Sequence, residues 1–162
     1  FFLAAREIGI DSIEVSNGFV NIPEENKQKL ISEALELGFE VFSEIGKKDP
    51  HEDSEISLQE RIEEAKRDMA AGASKVVIEA REGGKGIGIY DERGGVKEEM
   101  VASLVSEIGV DNIIFEAPDK SQQVYLILHL GASVNLGNIR TDDVIPLETL
   151  RRGLRGDTLG KL

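Results

Sequence analysis

Lys75-Val76-Val77-Ile78-Glu79-Ala80-Arg81-Glu82-Gly83-Gly84-Lys85-Gly86-Ile87-Gly88 is an apolar run that turns abruptly into charge and then into glycine. Val76, Val77 and Ile78 are β-branched and too few for a helix core, so the segment reads as a buried strand. Two-residue alternation places Glu79 and Arg81 on one side of that strand, and the glycines beyond allow backbone amides to approach a ligand. Taken alone, the stretch is most simply a structural ion pair followed by a flexible turn. Its repetition along the chain changes the reading.

The same punctuation recurs as Glu7-Ile8-Gly9, Glu36-Leu37-Gly38, Ala70-Ala71-Gly72, Glu107-Ile108-Gly109 and His129-Leu130-Gly131. Each closes a helical pattern with a glycine just past the end, where a left-handed backbone costs glycine little. An apolar strand follows each time: Ile13 to Ser16, Glu40 to Ile45, Val76 to Ala80, Ile113 to Ala117 and Ser133 to Leu136. The repeat has the size of a βα module rather than of a helical hairpin.

The helices between have readable starts. Pro23 stands in a first-turn position before Glu24 and Glu25, ahead of the stripe Leu30, Ile31, Ala34 and Leu37. Ser57 with Glu60 is a capping-box pattern ahead of Ile62, Ala65 and Met69. Further amphipathic helices are expected over Val96 to Ile108 and Ser121 to Leu130, and Pro146 opens a last one through Leu147, Leu150 and Leu154. Two longer interruptions, Lys47 to Ser57 and Gly83 to Gly95, follow strands directly, which is the functional side of parallel α/β proteins.

Strands alternating with helices imply a parallel sheet, either closed as a (β/α)₈ TIM barrel or open and doubly wound. The barrel is favoured because polar groups stand at nearly every strand end: Glu14, Ser16 and Asn17; Ser43 and Glu44; Glu79 and Arg81; Glu116; Asn135. An open sheet gathers its ligand at one switch point, whereas a barrel draws residues from many strands. Five βα modules do not close a barrel. The expectation is one domain over residues 1–162, the carboxyl-terminal portion of a barrel lacking about three front units, or else chains that complete one another's sheets. Phe1-Phe2-Leu3-Ala4-Ala5-Arg6 lacks an initiator Met and reads as a helix already under way, which agrees with the first of these. Open strand edges favour self-association, so a homo-oligomer is expected.

Composition narrows the function. The 162 residues are 40% hydrophobic and 31% charged, ordinary for a soluble domain. A net charge of -12 opposes binding to nucleic acid or to an anionic membrane surface. No cysteine is present, so disulfides and thiolate metal sites are excluded. With no signal-like start and no run near the roughly 18 apolar residues that span a bilayer, a cytoplasmic location is expected.

Glu44, Glu79 and Glu116 occupy comparable places near three successive strand ends, and converging carboxylates suit a hard divalent cation such as Mg²⁺. Individually each serves equally well as a salt-bridge partner of Arg81, Lys47 or Lys48. Lys48 is a candidate proton donor, although a loop lysine is ordinarily solvated. Gly84-Lys85-Gly86-Ile87-Gly88 fails the Walker and dinucleotide patterns, yet its amides with Lys85 can hold an anion. Asn135-Leu136-Gly137-Asn138 follows the last strand, where barrels often bind phosphate. His51 and His129 show no ligand spacing, so neither supports zinc or a catalytic triad.

At these residues the chain resembles the phosphosulfolactate synthase family. The pieces are Ile13-Glu14-Val15-Ser16-Asn17-Gly18, Ser43-Glu44-Ile45-Gly46-Lys47-Lys48, Ile78-Glu79-Ala80-Arg81-Glu82, Ile114-Phe115-Glu116-Ala117-Pro118, Ser133-Val134-Asn135-Leu136-Gly137-Asn138-Ile139 and Leu147 through Thr158. The resemblance implies a TIM barrel and Mg²⁺-dependent addition of sulfite to phosphoenolpyruvate, giving (2R)-phospho-3-sulfolactate, the opening step of coenzyme M synthesis in methanogenic archaea. It implies a lysine acid, best matched by Lys48 with Lys47 as its neighbour. From strand geometry more than from any motif, Glu44, Glu79 and Glu116 are the metal candidates and Arg81 a catalytic candidate, with Lys47, Lys85, Asn135 and Asn138 toward substrate anions. Two rivals are a different barrel lyase or isomerase acting on a phosphorylated enolisable acid, and a non-catalytic member like the plant heat-stress-associated proteins that share the resemblance.

Overall fold

The structure, a computed structural model, describes residues 1–81 and 83–162; Glu82, part of the stretch quoted at the outset, lies outside the described residues. Five strands, β1 (Ser12–Val15), β2 (Glu40–Ile45), β3 (Lys75–Ile78), β4 (Ile113–Glu116) and β5 (Leu136–Gly137), run in the sheet order β1-β2-β3-β4-β5. The β1–β2 and β4–β5 pairs are parallel. Strand order that follows chain order, with helices between, is the arrangement of a (β/α) barrel, because a doubly wound sheet reverses at its switch point. The fold is a partial (β/α) barrel. By compactness the chain divides into two units, Phe1–Val77 and Ile78–Leu162.

The first unit contains α1 (Phe2–Glu7), β1, α2 (Glu24–Glu36), β2, α3 (Pro50–Ser54), α4 (Leu58–Ala71) and most of β3. Its apolar cluster includes Ile13 and Val15 of β1, Ile31 and Ala34 of α2, and Phe39 and Val41 at β2. Period-2 burial in the strand and period-3.6 burial in the helix put these faces together. Pro23 stands at the N-cap of α2, one position before the first turn. The capping box of α4 is formed in both directions: Ser57 Oγ accepts the Glu60 N–H and the Glu60 carboxylate accepts the Ser57 N–H. The helix stops at Gly72, whose φ of 118° no L side chain adopts readily and where a Cβ would lie 2.6 Å from Leu35 Cδ2. The interval Lys47 to Ser57 is not all loop, since Asp49 caps the short helix α3 through the His51 and Glu52 amides.

The second unit holds the end of β3, α5 (Glu98–Ile108), β4, α6 (Lys120–Leu130), β5 and α7 (Val144–Arg151). Leu104, Ile113, Phe115, Leu126, Ile127 and Leu150 are fully buried there. Two strand expectations need correction. β3 ends at Ile78, and Arg81 has a φ of 58°, so the chain turns where continued alternation would have set Glu79 and Arg81 side by side. The last strand forms at Leu136–Gly137 instead of Ser133 to Leu136. The reason is competition for carbonyls: Gly131 to Val134 closes as a turn, and the Arg151 guanidinium takes the carbonyl oxygens of Ala132 and Val134. α7 begins at Val144, which places Pro146 within its first turn, and it ends at Arg151, leaving Leu154 exposed.

Among the described residues no helix is long and apolar enough to cross a membrane. Replacing Ser57 with Ala removes one arm of the α4 capping box and is expected to cost about 1 kcal/mol, read as a lowered urea midpoint at unchanged m-value, with Ser57→Asp recovering most of it.

Candidate active site

In the first unit, the β1–β2 register pairs Val15 with Ser43, so Ser16, just past β1, comes level with Glu44 of β2. Ser16 Oγ donates to Glu44 Oε1 at 2.5 Å, and Lys48 Nζ donates to Glu44 Oε2 at 3.0 Å. Glu44 is 2% exposed, and the Lys48 side chain retains 24% exposure. The Gly18 amide donates to Ser16 Oγ, the Lys48 amide donates to the Gly18 carbonyl, and the Phe19 ring lies 5.8 Å from Lys48 Nζ. Lys47 is used differently: its ammonium donates to the Asn17 carbonyl at 2.8 Å and its amide to Asp53 Oδ1.

Beneath this cluster lies a buried lysine that the sequence reading missed. Lys27, 2% exposed, donates to the Glu44 carbonyl oxygen at 2.9 Å, to Glu64 Oε1 at 2.6 Å and to Asp68 Oδ2 at 2.7 Å. Ser43 Oγ also donates to Asp68 Oδ2. The available signal was positional, because Lys27 sits four residues before Ile31 on the apolar stripe of α2, where a solvated lysine does not belong.

In the second unit, the cluster forms between the turn just past β3 and the last residue of β4. Glu116 Oε2 accepts the amides of Ala80 at 2.8 Å and Arg81 at 3.1 Å, and Glu79 Oε1 accepts the same Arg81 amide at 2.6 Å. Two carboxylates thus converge on one N–H, with Glu79 1% exposed. Asn138, itself at φ 54°, donates its side-chain amide to the Arg81 carbonyl at 2.7 Å. Arg81 and Lys85 are exposed. Asn135 is not brought to this group: its side-chain amide donates to the carbonyls of Asp111 and Ile113, at the amino end of β4.

The glycine-rich segment is held on several sides. Gln122, which caps α6 together with Asp119, donates to the carbonyls of Gly84 and Gly94. Lys97 Nζ donates to the Gly88 carbonyl, and an isolated bridge pairs Tyr90 with Val96. At Gly88, φ is 52° and an added Cβ would stand 2.1 Å from the Glu79 carbonyl oxygen. Tyr90, fully buried, donates its hydroxyl to the Glu116 carbonyl at 2.6 Å. Burial, followed by the charges of Glu116 and Asp119, pushes its phenol well above the usual tyrosine range. The Ser121 hydroxyl and amide, with help from the Lys85 charge, hold the Asp119 carboxyl below the usual carboxylate range.

Among the described residues no group of three or more His, Asp or Glu is placed to hold a metal ion. The donor set that best fits a hard dication is the Glu79–Glu116 pair, since Mg²⁺ is commonly held by one or two carboxylates with water and substrate oxygens completing its shell. Glu44 is less suited, because the ammonium 3.0 Å from its Oε2 would repel a cation there.

A parallel sheet whose strand order follows chain order, with helices between the strands, defines the class: a (β/α)-barrel protein, here with charged side chains at its strand ends. The sequence pattern described as "(2R)-phospho-3-sulfolactate synthase (ComA)" matches residues 1–157, and the chain belongs to that family. It is 51% identical over 162 residues to the phosphosulfolactate synthase of Methanothermobacter thermautotrophicus, covering 100% of this chain and 63% of the relative. Identity is 47% over 162 residues to that of Methanocaldococcus jannaschii, covering 100% and 64%, and 43% over 151 residues to that of Bacillus subtilis, covering 93% and 59%. The chain therefore spans just under two thirds of the length of the relatives it matches.

Two measurements check this geometry. Gly88→Ala is expected to lose at least about 2 kcal/mol of stability by urea denaturation, because both φ and the Glu79 carbonyl oppose a methyl group, whereas Gly83→Ala, with open space around it, stays within about 0.5 kcal/mol. The raised phenol of Tyr90 favours the neutral form in the folded state. Its contribution is whole below the unfolded value near about 10 and is lost as pH climbs toward the folded value. Stability of the parent chain should thus fall more steeply than that of Tyr90→Phe between about pH 9 and about pH 11 in paired denaturation series.

Proposed function

We propose that this chain serves an enzyme that adds sulfite to phosphoenolpyruvate, giving (2R)-phospho-3-sulfolactate, as a cytoplasmic, Mg²⁺-dependent lyase at the opening of coenzyme M synthesis. The observation that carries the reading is Lys48, held by buried Glu44 just past the carboxyl end of β2. The family match over residues 1–157 and the activity for which the relatives are named support it.

The sulfite sulfur donates an electron pair to the terminal carbon of phosphoenolpyruvate, and a C–S bond forms. The π pair of the C=C bond moves toward the neighbouring carbon and its carboxylate, and that carbon takes a proton from the Lys48 ammonium. Solvent returns the proton, and the phosphate ester stays intact. Lys48, whose ammonium is oriented by a buried carboxylate, is assigned the donor role, and Lys47, whose ammonium donates to the Asn17 carbonyl, is not. Arg81 and Lys85 supply positive charge for the substrate's carboxylate and phosphate, while Asn138 orients the Arg81 backbone. Glu79 and Glu116 would hold the cation, which when bound stabilises charge gathering on the substrate carboxylate. Asn135 has no part in this scheme, its amide being engaged at the opposite end of β4.

The test is an ultraviolet assay of phosphoenolpyruvate consumption with Mg²⁺, with and without sulfite. Turnover should require sulfite, and Lys48→Ala should lower kcat at least about 100-fold. Turnover independent of sulfite, or full activity of that variant, contradicts the reading. By titration calorimetry, Glu79→Gln and Glu116→Gln should each weaken Mg²⁺ binding at least about tenfold.

A further inference from the structure

A lysine has four rotatable side-chain bonds and, in a loop, no fixed position for its ammonium. Lys48 is an exception whose causes lie in β1 and its following turn. Ser16 has one hydroxyl proton. Because its oxygen accepts the Gly18 amide at 3.0 Å, that proton is directed to Glu44 Oε1. Glu44 cannot turn to solvent, being 2% exposed with its own carbonyl pinned by the buried Lys27. Its second oxygen therefore presents in one direction, and the Lys48 ammonium meets it at 3.0 Å. Gly18 closes the arrangement: a Cβ there would stand 2.9 Å from Glu44 Oε1 and 3.0 Å from Lys48 Cγ, so the turn backbone seats directly against both side chains.

We propose that Ser16 and Glu44 are positioning residues for Lys48, a hydrogen-bonded relay from β1 through β2 that fixes where the proton donor stands, and that Glu44 serves this lysine and not the metal. The role rests on the reading of Lys48 as the donor, and it extends that reading to a residue on a different strand. The chemistry requires it because a donor held within reach of the reacting carbon acts at high effective concentration, whereas a freely rotating ammonium spends most of its time elsewhere.

The experiment compares Ser16→Ala, Ser16→Thr and Lys48→Ala in the intact protein, all first shown to keep a folded thermal transition. Side-chain ¹³C relaxation of Lys48 is expected to show an ordered chain in the parent and in Ser16→Thr, and a freely rotating one in Ser16→Ala. In the sulfite assay, Ser16→Ala should lower kcat on the order of tenfold at nearly unchanged KM for phosphoenolpyruvate, and Ser16→Thr should restore most of it. Mg²⁺ affinity by calorimetry should be unchanged in Ser16→Ala and in Glu44→Gln. Unchanged Lys48 order in Ser16→Ala, wild-type kcat in that variant, or a tenfold loss of Mg²⁺ affinity in Glu44→Gln would each overturn the proposal. Full turnover by Lys48→Ala would instead overturn the donor reading, and the relaxation result would still report on the relay by itself.

Discussion

The carboxylate of Glu116 sets the local order of the second unit. Beyond the end of a parallel strand, backbone amides lose their ladder partners and must find others or stay in water. Glu116 supplies that partner to two successive amides, those of Ala80 and Arg81. Hydrogen bonds to a charged acceptor are roughly twice as strong as neutral ones, so the turn after β3 is fixed by a side chain of β4. The left-handed backbone of Arg81 follows, with its carbonyl directed to Asn138. The glycine-rich segment then folds back closely enough that Gly88 touches the Glu79 carbonyl. A carboxylate placed for structure thereby meets a second one on the same Arg81 amide.

The first unit solves a different electrostatic problem. Lys27 is almost wholly removed from water, and a buried charge is tolerable only with excellent partners. It has three: a backbone carbonyl and two carboxylates. The ammonium joins α2 and α4 beneath the end of β2, at the residue whose side chain holds Lys48. Strand end, buried charge and candidate proton donor are therefore mechanically continuous. The desolvation cost of the buried ions is set against fixing that strand end, not against stability alone.

The parts of the fold governed by local rules were legible in the sequence. The capping box at Ser57, the glycine stop at Gly72 and all six residues of β2 stand where propensity and period place them. The alternation of strands and helices was legible too, with the barrel favoured from the polar strand ends, and the sheet order β1-β2-β3-β4-β5 agrees with it. Elements decided by a distant partner were not legible. β5 shifted because Arg151, on another element, claims the carbonyls preceding it. The Arg81 turn depends on Glu116, which lies 35 residues away. The candidate residues at strand ends could be found from alternation. Their division of labour could not, because it depends on register: only the pairing of Val15 with Ser43 brings Ser16 and Glu44 to the same level. Lys27 belongs to no motif, and only its place on the α2 stripe signals burial.

The Lys27 network constrains how this chain can vary. Ser43, Glu64 and Asp68 share one buried ammonium directly or through one another, with more acidic groups than basic ones in the set. Loss of the lysine alone would strand the buried Asp68 carboxylate and leave the partly exposed Glu64 without this partner, and loss of either acid alone would shift the whole charge to the other. Substitution at 27 is coupled most tightly to 68, since a neutral side chain at 27 calls for a neutral one at the buried Asp68 position, with 64 coupled less strongly. Homologous chains should therefore carry these positions as linked alternatives, inherited together or exchanged together.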